Sequence, residues 1–155
     1  MAIIPSRTKN WKILIDNMVL VDTSVWIEAS RRDGRQEVKL GLQGLLDVYE
    51  ATLCGPVEME FLGGARPQER DRLQAWCNIL PYHRSDQKIW RKAATNFSLL
   101  RSKGVHAPWN DVLIATIARE ATCRIYTCDK HFELMAPVLQ LMLYTPSYLG
   151  GYNEF

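Results

Sequence analysis

The chain has 155 residues, of which 47% are hydrophobic and 23% charged, values that describe an ordinary soluble protein of one domain with a buried core. The net charge of +2, from 19 basic and 17 acidic side chains, by itself indicates neither a nucleic-acid-binding nor a membrane-surface protein. No apolar run approaches the length of a transmembrane helix, so we expect no association with a membrane.

The first 17 residues are basic and irregular and precede Met18, where the first predicted strand begins. Two interpretations are open. If translation naturally begins at Met18, residues 1–17 are a leader that results from a wrongly assigned start codon. Otherwise they are a genuine N-terminal arm.

Strand-like and helix-like segments alternate along the rest of the chain. Apolar runs predict five short strands, at residues 19–21, 51–54, 78–82, 124–127 and 139–144. Helical spacing and Gly or Pro boundaries predict helices at residues 25–30, 36–50, 56–62, 67–76, 86–103, 108–118 and 131–136. The alternation predicts an α/β fold: a single domain over residues 18–150, built on a mostly parallel five-stranded sheet with helices on both faces.

The four cysteines do not form a metal-binding pattern. They contain no CxxC pair, and no histidine lies at zinc-ligand spacing. We therefore expect reduced thiols and a cytoplasmic protein.

Two acidic residues follow predicted strands directly. Asp22 ends the run Val19–Val21, and Asp129 ends the run that begins at Arg124. Because parallel strands place their carboxyl ends at one edge of the sheet, both side chains are expected at that edge. Each also has an alternative role as the N-cap of the following helix.

Two more acids stand in apolar helical surroundings. Glu60 lies next to Phe61 and Leu62, and Asp111 is near the start of a helix that is otherwise apolar. Acids are placed in such surroundings when they are paired, hydrogen-bonded or bound to a metal. Asp111 could instead stabilise its helix N-terminus, and Glu60 could face solvent. Glu58 lies two residues before Glu60, on a different face of the same helix.

The acids lie in four segments that together resemble the motifs of PIN-domain nucleases, and in particular those of VapC-type toxins. The segments are Val21-Asp22-Thr23-Ser24-Val25-Trp26-Ile27, Glu60-Phe61-Leu62 followed by two glycines, Asn110-Asp111-Val112-Leu113-Ile114-Ala115 and Tyr126-Thr127-Cys128-Asp129-Lys130-His131-Phe132. The resemblance covers residues 18–146 in the expected order. The N-terminal residues and the additional Glu58 depart from the family pattern.

The resemblance implies which residues act. The family's metal-binding catalytic acids fall on Asp22, Glu60, Asp111 and Asp129. The hydroxyl group that orders the site falls on Ser24, and Thr127 matches the threonine of the last motif. Carboxylate oxygens with no Cys or His nearby select Mg²⁺ or Mn²⁺ over zinc.

RNA is the substrate that the resemblance implies, cleaved by a metal-dependent endoribonuclease. The basic residues proposed to contact phosphate are Arg31, Arg32, Arg66 and Lys130, together with Arg70 and Arg84, although each could also be ordinary solvated charge.

A cognate VapB-like antitoxin is the implied partner, in a homodimer or a hetero-oligomer. Trp26 and Trp109 lie beside two of the acids and either belong to the core or anchor an antitoxin segment.

The alternatives from other classes differ in their motifs. A phosphotransferase of the haloacid-dehalogenase type needs a second acid two residues after the first, and Ser24 stands there. The remaining alternative is a degenerate PIN domain that binds RNA or protein without catalysis.

Overall fold

The computed structural model describes residues 17–147. The predicted N-terminal arm or leader, apart from Asn17, and the last residues of the predicted domain lie outside the described range. Within it the elements follow one another as β1 (Val19–Val21), α1 (Thr23–Ser30), α2 (Gln36–Asp47), β2 (Ala51–Cys54), α3 (Gly55–Gly63), α4 (Pro67–Ile79), β3 (Tyr82–His83), α5 (Gln87–Ser102), α6 (Trp109–Glu120), β4 (Arg124–Tyr126) and α7 (Lys130–Leu139).

The sheet is parallel throughout its described strands, in the order β3-β2-β1-β4. In the register, Leu20 lies beside Thr52 of β2 on one side and Ile125 of β4 on the other. All three residues of β1 are fully buried, and successive side chains of a strand point to opposite faces. Both faces of the central strand are therefore covered, which confirms the predicted α/β class with a parallel sheet.

Aspartate side chains begin three of the helices. Asp22, Asp86 and Asp129 cap α1, α5 and α7, each by accepting a hydrogen bond from a backbone N–H two or three residues further on. The capping role that the sequence allowed for Asp22 and Asp129 is thus real. It fixes both carboxylates at the ends of β1 and β4.

The predicted third strand, at residues 78–82, is wrong in its position. Helix α4 continues to Ile79, and the strand consists of Tyr82 and His83. Proline at 81 disfavours a helical conformation of the preceding residue, and Leu80 is extended (φ −75°, ψ 141°). The apolar pair Ile79-Leu80 resembled the start of a strand, but Ile79 is an exposed residue of the helix.

The predicted fifth strand, at residues 139–144, is also wrong, and the described residues form four strands. Helix α7 runs through Pro137 to Leu139, and Gln140 ends it in the left-handed conformation (φ 57°). A single bridge remains, between Leu143 and Ile125, made by hydrogen bonds on either side of it. Leu143 therefore lies beside β4 without extending the sheet as a strand.

No helix in the described range, residues 17–147, is both long and apolar enough to cross a membrane. All four cysteines are free, and Cys54, Cys77 and Cys123 are buried with the apolar side chains of the core.

The packing of α2 against β4 can be tested at a glycine. A Cβ at Gly41 would lie 2.6 Å from the Tyr126 hydroxyl oxygen and 2.9 Å from Pro146 Cβ. We expect Gly41→Ala to lower the free energy of unfolding by about 1–2 kcal/mol, because overpacking outweighs the gain in helix propensity. Gly44→Ala is the matched control on the same helix, where a Cβ meets nothing within 4 Å. It should raise that free energy by about 0.5–1 kcal/mol. Urea unfolding measures both, and equal stability of the two variants would contradict the close contact.

Candidate metal centre

The site begins where two neighbouring strands end. Asp22 directly follows β1 and Thr127 directly follows β4, and these strands pair with Val21 beside Tyr126. The backbone N–H of Asp22 donates to the carbonyl oxygen of Tyr126 at 2.9 Å, which continues the pairing past the end of β1. The side chains that follow both strands are therefore brought to one edge of the sheet.

Two hydroxyl groups bind the carboxylate of Asp22. Ser24 Oγ donates to Asp22 Oδ2 at 2.5 Å, and Thr127 Oγ1 donates to the same oxygen at 3.0 Å. Each hydroxyl oxygen also accepts from the backbone after β4: Ser24 from the N–H of Cys128 and Thr127 from the N–H of Asp129, both at 2.9 Å. Ser24 and Thr127 thus orient Asp22 and tie it to the chain that carries Asp129.

Burial opposes the charge of Asp22, whose side chain is 4% exposed. Loss of solvent raises the pKa of its carboxyl above the ordinary value, while the hydrogen bonds from Ser24 and Thr127 lower the pKa and offset part of the rise. The hydroxyl groups thus favour the ionised form of this buried side chain, against the effect of burial.

Glu60 reaches the same region from α3. Its Oε2 accepts from Thr23 Oγ1 at 2.7 Å, and its Oε1 accepts from the side-chain amide of Asn110. Thr23 is next to Asp22 in the chain, and Asn110 is next to Asp111. The two oxygens of Glu60 are therefore held by α1 and α6, through residues that adjoin Asp22 and Asp111 in the chain.

Glu58 faces a different neighbour. Its carboxylate lies near the hydroxyl group of Tyr82, whose pKa is raised mainly by burial and further by the charge of Glu58. The two glutamates of α3 are two residues apart, so they lie on different faces of the helix. The structure brings Glu60, and not Glu58, into contact with residues next to the other acids.

Asp111 completes the group from the first turn of α6 and is 7% exposed. Burial raises the pKa of its carboxyl to about 7, and the negative charges of Asp129, Asp22 and Glu60 contribute to the rise. Hydrogen bonds of Thr23, Asn110 and Thr127 independently link these acids to one another or to their neighbours in the chain. The four acids predicted from the sequence are thus gathered at one edge of the sheet.

A histidine also belongs to the group, contrary to the expectation that none lies near the acids. His131 Nδ1 is 2.8 Å from Asp129 Oδ1 and 3.3 Å from Asp111 Oδ2. Its position two residues after Asp129, in the first turn of α7, was a signal in the sequence that pointed to this edge. Asn110 and Thr23 were likewise missed as partners of Glu60, although both stand within the motifs.

The donor set fits a divalent cation. One atom each from Asp111, Asp129 and His131 lie within 4.8 Å of one another. Asp111 Oδ2 is buried and accepts no hydrogen bond from the described part of the chain. A buried carboxylate oxygen in that state is costly unless a cation or a proton accompanies it. Hard carboxylate oxygens are the ligands that Mg²⁺ and Mn²⁺ accept.

The predicted phosphate contacts lie on the surface. Arg31 is 3.6 Å from Glu28, and Arg66 is 2.7 Å from Glu69, so both are engaged in exposed ion pairs. Arg32 is exposed in the turn after α1. Lys130, also exposed, is the residue directly after Asp129 and so the one placed next to the acids in the chain.

Known proteins share both the sequence pattern and the fold. The family model of the PIN domain matches residues 19–136. Ribonuclease VapC11 of Mycobacterium tuberculosis (strain ATCC 25618 / H37Rv) is 33% identical over 129 residues, which cover 80% of this chain and 96% of that protein. VapC ribonuclease Mb1587 of Mycobacterium bovis is similar over the same length and to the same degree.

Two solved structures resemble the fold at lower identity. FitAcB from Neisseria gonorrhoeae superposes with a TM-score of 0.66 at 18% identity, over 85% of this chain and 100% of that chain. VapBC2 from Rickettsia felis, bound to a DNA fragment from its promoter, superposes with a TM-score of 0.63 at 18% identity, over 82% of this chain and 97% of that chain. At this identity the likeness concerns the fold alone.

The cost of ionising Asp111, which comes mainly from burial and further from the neighbouring acids, can be measured without metal. The pKa of Asp111 in the folded chain, about 7, lies above the ordinary value of 3.8, so the folded chain holds this proton more tightly than the unfolded chain does. The stability that the protonated carboxyl group of Asp111 contributes is therefore lost as the pH rises from about 4 to about 7. At pH 8, in a chelating buffer, we expect Asp111→Asn to raise the free energy of unfolding by about 1–2 kcal/mol. The gain is limited because the neutral side chain loses the attraction between the carboxylate and the helix N-terminus.

At pH 4 the gain from Asp111→Asn should be close to zero. The matched control is Asp33→Asn, in an exposed turn, which should change stability little at either pH. Urea unfolding of the three proteins at both pH values measures the difference. A loss of stability in Asp111→Asn at pH 8 would show that the ionised carboxylate is stabilised by its surroundings.

Proposed function

Since the chain belongs to the PIN-domain family, we propose that it is a metal-dependent endoribonuclease and the toxin of a type II toxin–antitoxin pair. The observation that supports the proposal is the set of contacts that bring Asp22, Glu60, Asp111 and Asp129 to one edge of the sheet, with a buried oxygen of Asp111 left without a hydrogen bond in the described chain. The names of the relatives, VapC ribonucleases, support RNA as the substrate.

Asp111, Asp129, Asp22 and Glu60 are the residues that would hold Mg²⁺ or Mn²⁺. A divalent cation supplies a Lewis acid that neutralises phosphate oxygens and activates water for in-line attack on a phosphodiester bond. The chain's own contribution is position and charge. Ser24 and Thr127 orient Asp22, Thr23 and Asn110 orient Glu60, and the backbone N–H of His131 orients Asp129.

Substrate binding is proposed to use basic side chains around these acids. When the four acids are set aside, the rest of the chain has a clear excess of basic residues, which suits a polyanion. Lys130 is the best placed, at the N-terminus of α7 directly after Asp129. Arg31, Arg32 and Arg66 would contact phosphates further along the RNA. The ion pairs of Arg31 with Glu28 and of Arg66 with Glu69 would have to break first.

The proposed partner is a VapB-like antitoxin that blocks the acids, in a homodimer or hetero-oligomer in the cytoplasm. An Arg or Lys side chain of such a partner could pair with the carboxylates in place of a metal ion. Trp26 is not available as an anchor, because it is buried and packs against Phe61 in a tilted arrangement, with ring centroids 5.0 Å apart. Trp109 is 57% exposed and remains available.

The nuclease proposal is tested with single-turnover cleavage of RNA in Mg²⁺ or Mn²⁺. We expect Asp22→Asn and Glu60→Gln each to lower the rate by about 100-fold or more, because each weakens a ligand of the charge-stabilising cation. Glu58→Gln is the matched control on the same helix, and its rate should stay within about twofold of the unaltered protein, because Glu58 is on a different face of the helix, near Tyr82. If Glu58→Gln were inactive and Glu60→Gln active, the second acid would be assigned to the wrong face. Full activity of Asp22→Asn would overturn the metal mechanism, and an inactive unaltered chain would favour a degenerate binding domain.

The toxin role is tested in growing cells. Expression of the chain alone should arrest growth, and co-expression of the small protein encoded by the neighbouring reading frame should restore it. Asp22→Asn should not arrest growth but should still bind that protein in a pull-down, since the substitution keeps the shape of the site. Growth arrest by Asp22→Asn equal to that of the unaltered chain would show that toxicity arises elsewhere.

A further inference from the structure

The ring of His131 is held against two of the acids by the start of α7. Its backbone N–H donates to Asp129 Oδ1 at 2.9 Å, which fixes the residue in the first turn of the helix. The ring then turns inward, so that Nδ1 lies 2.8 Å from the same oxygen and 3.3 Å from Asp111 Oδ2. Nδ1 is therefore the atom of the ring that faces the acids.

Hydrogen bonding within the described chain does not account for this arrangement. Nδ1 and Asp111 Oδ2 are both buried, and neither has a hydrogen bond of acceptable geometry to any part of residues 17–147. The side chain of Asp111 is 9% exposed, so its oxygen cannot be satisfied by bulk solvent. A nitrogen and a carboxylate oxygen that face each other in this state have unused capacity to bind a third group.

The separations suit two neighbouring ligands of one metal ion. Ligands that lie about 2.1 Å from an octahedral ion, at right angles to each other, are about 3.0 Å apart. The distances from Nδ1 to the two oxygens, 2.8 and 3.3 Å, lie on either side of that value. Ligand atoms of Asp111, Asp129 and His131 all lie within 4.8 Å of one another.

We propose that His131 is a metal ligand through Nδ1, together with Asp111 and Asp129, and that this nitrogen makes the site bind Mn²⁺ more tightly than Mg²⁺. The inference rests on the proposed function, since it assigns a further ligand to the same site. Mg²⁺ is bound in proteins through oxygen and water. Mn²⁺ accepts the same oxygens, and as a first-row transition ion it gains more than Mg²⁺ does from an imidazole nitrogen.

Ligation requires the neutral ring with its proton on Nε2, so that Nδ1 offers its lone pair. The competing role for His131 is that of a positioning residue, which hydrogen-bonds Asp129 and never contacts the ion. Both roles would lower nuclease activity when His131 is replaced. Activity therefore does not separate them, and a direct signal from the nitrogen does.

The decisive measurement is pulsed electron paramagnetic resonance of the full chain loaded with Mn²⁺ alone. A coordinated imidazole gives a ¹⁴N modulation, and growth on ¹⁵N-histidine should replace it with the ¹⁵N frequency. The chain has three histidines. His83 Nε2 lies 3.1 Å from Thr52 Oγ1 and 4.0 Å from the sulfur of Cys123, directly before β4, and His106 is exposed in the loop before α6. A histidine signal that is absent from His131→Gln but present in His106→Gln would assign the ligand.

The affinities are measured by titration calorimetry with each metal chloride. We expect His131→Gln to weaken Mn²⁺ binding by about tenfold or more and to change Mg²⁺ binding by less than about threefold. His106→Gln should match the unaltered chain for both ions. Equal losses for the two ions would overturn the proposed selectivity.

The isotope experiment on the unaltered chain shows whether any histidine binds Mn²⁺, even if His131→Gln fails to fold. A signal that persists in both His83→Gln and His106→Gln then leaves His131 as the ligand, since the chain has three histidines. Bound Mn²⁺ without a histidine nitrogen signal would overturn the ligand assignment, while RNA cleavage that depends on Asp22 would leave the nuclease proposal standing. Conversely, a nitrogen signal in a chain that cleaves no RNA would keep the ligand and refute the nuclease.

Discussion

The site depends on one buried carboxylate, that of Asp22, which joins the ends of two strands. Ser24 Oγ and Thr127 Oγ1 both donate to Asp22 Oδ2, and each also accepts a backbone N–H from the chain that follows β4. Both hydroxyl groups in this junction thus donate one hydrogen bond and accept another. Buried polar groups contribute to a unique structure only when all of them are paired. The position of Asp129, which continues from this junction, follows from it.

The acids of the site differ in how well they are hydrogen-bonded, and this difference affects the stability of the protein. Asp22 and Glu60 are surrounded by donors, so their positions are set by the fold alone. Asp111 Oδ2 lacks a hydrogen bond in the described chain, and burial together with neighbouring acids raises the pKa of this carboxyl to about 7. The folded chain therefore stores unfavourable electrostatic energy at one place, which a bound cation would relieve.

Residues with a strong local signal were predictable from the sequence. Strands β1, β2 and β4 are short apolar runs with clear ends, and a parallel sheet placed the acids after β1 and β4 at the same edge. That β1 and β4 are neighbours is shown by the structure. The errors arose where tertiary context decides. The pair Ile79-Leu80 looked like a strand but ends a helix before Pro81, and Pro137 did not end α7. His131 was missed because its spacing from Asp129 indicates a helix start, while its contact with Asp111 depends on how α6 and α7 lie together.

The junction at Asp22 also governs the order of folding. Its hydrogen bond from Thr127 spans 105 residues, and the central strand β1 cannot acquire its neighbour β4 until residue 124 has been synthesised. Contacts of such long range are formed late, because the loop must close before any pairing is gained. A nascent chain that ends before residue 124 therefore contains Asp22, Glu60 and Asp111 but lacks Asp129 and the Thr127 hydroxyl group that binds Asp22. The complete arrangement of the four acids therefore exists only after the C-terminal part of the chain has joined the sheet.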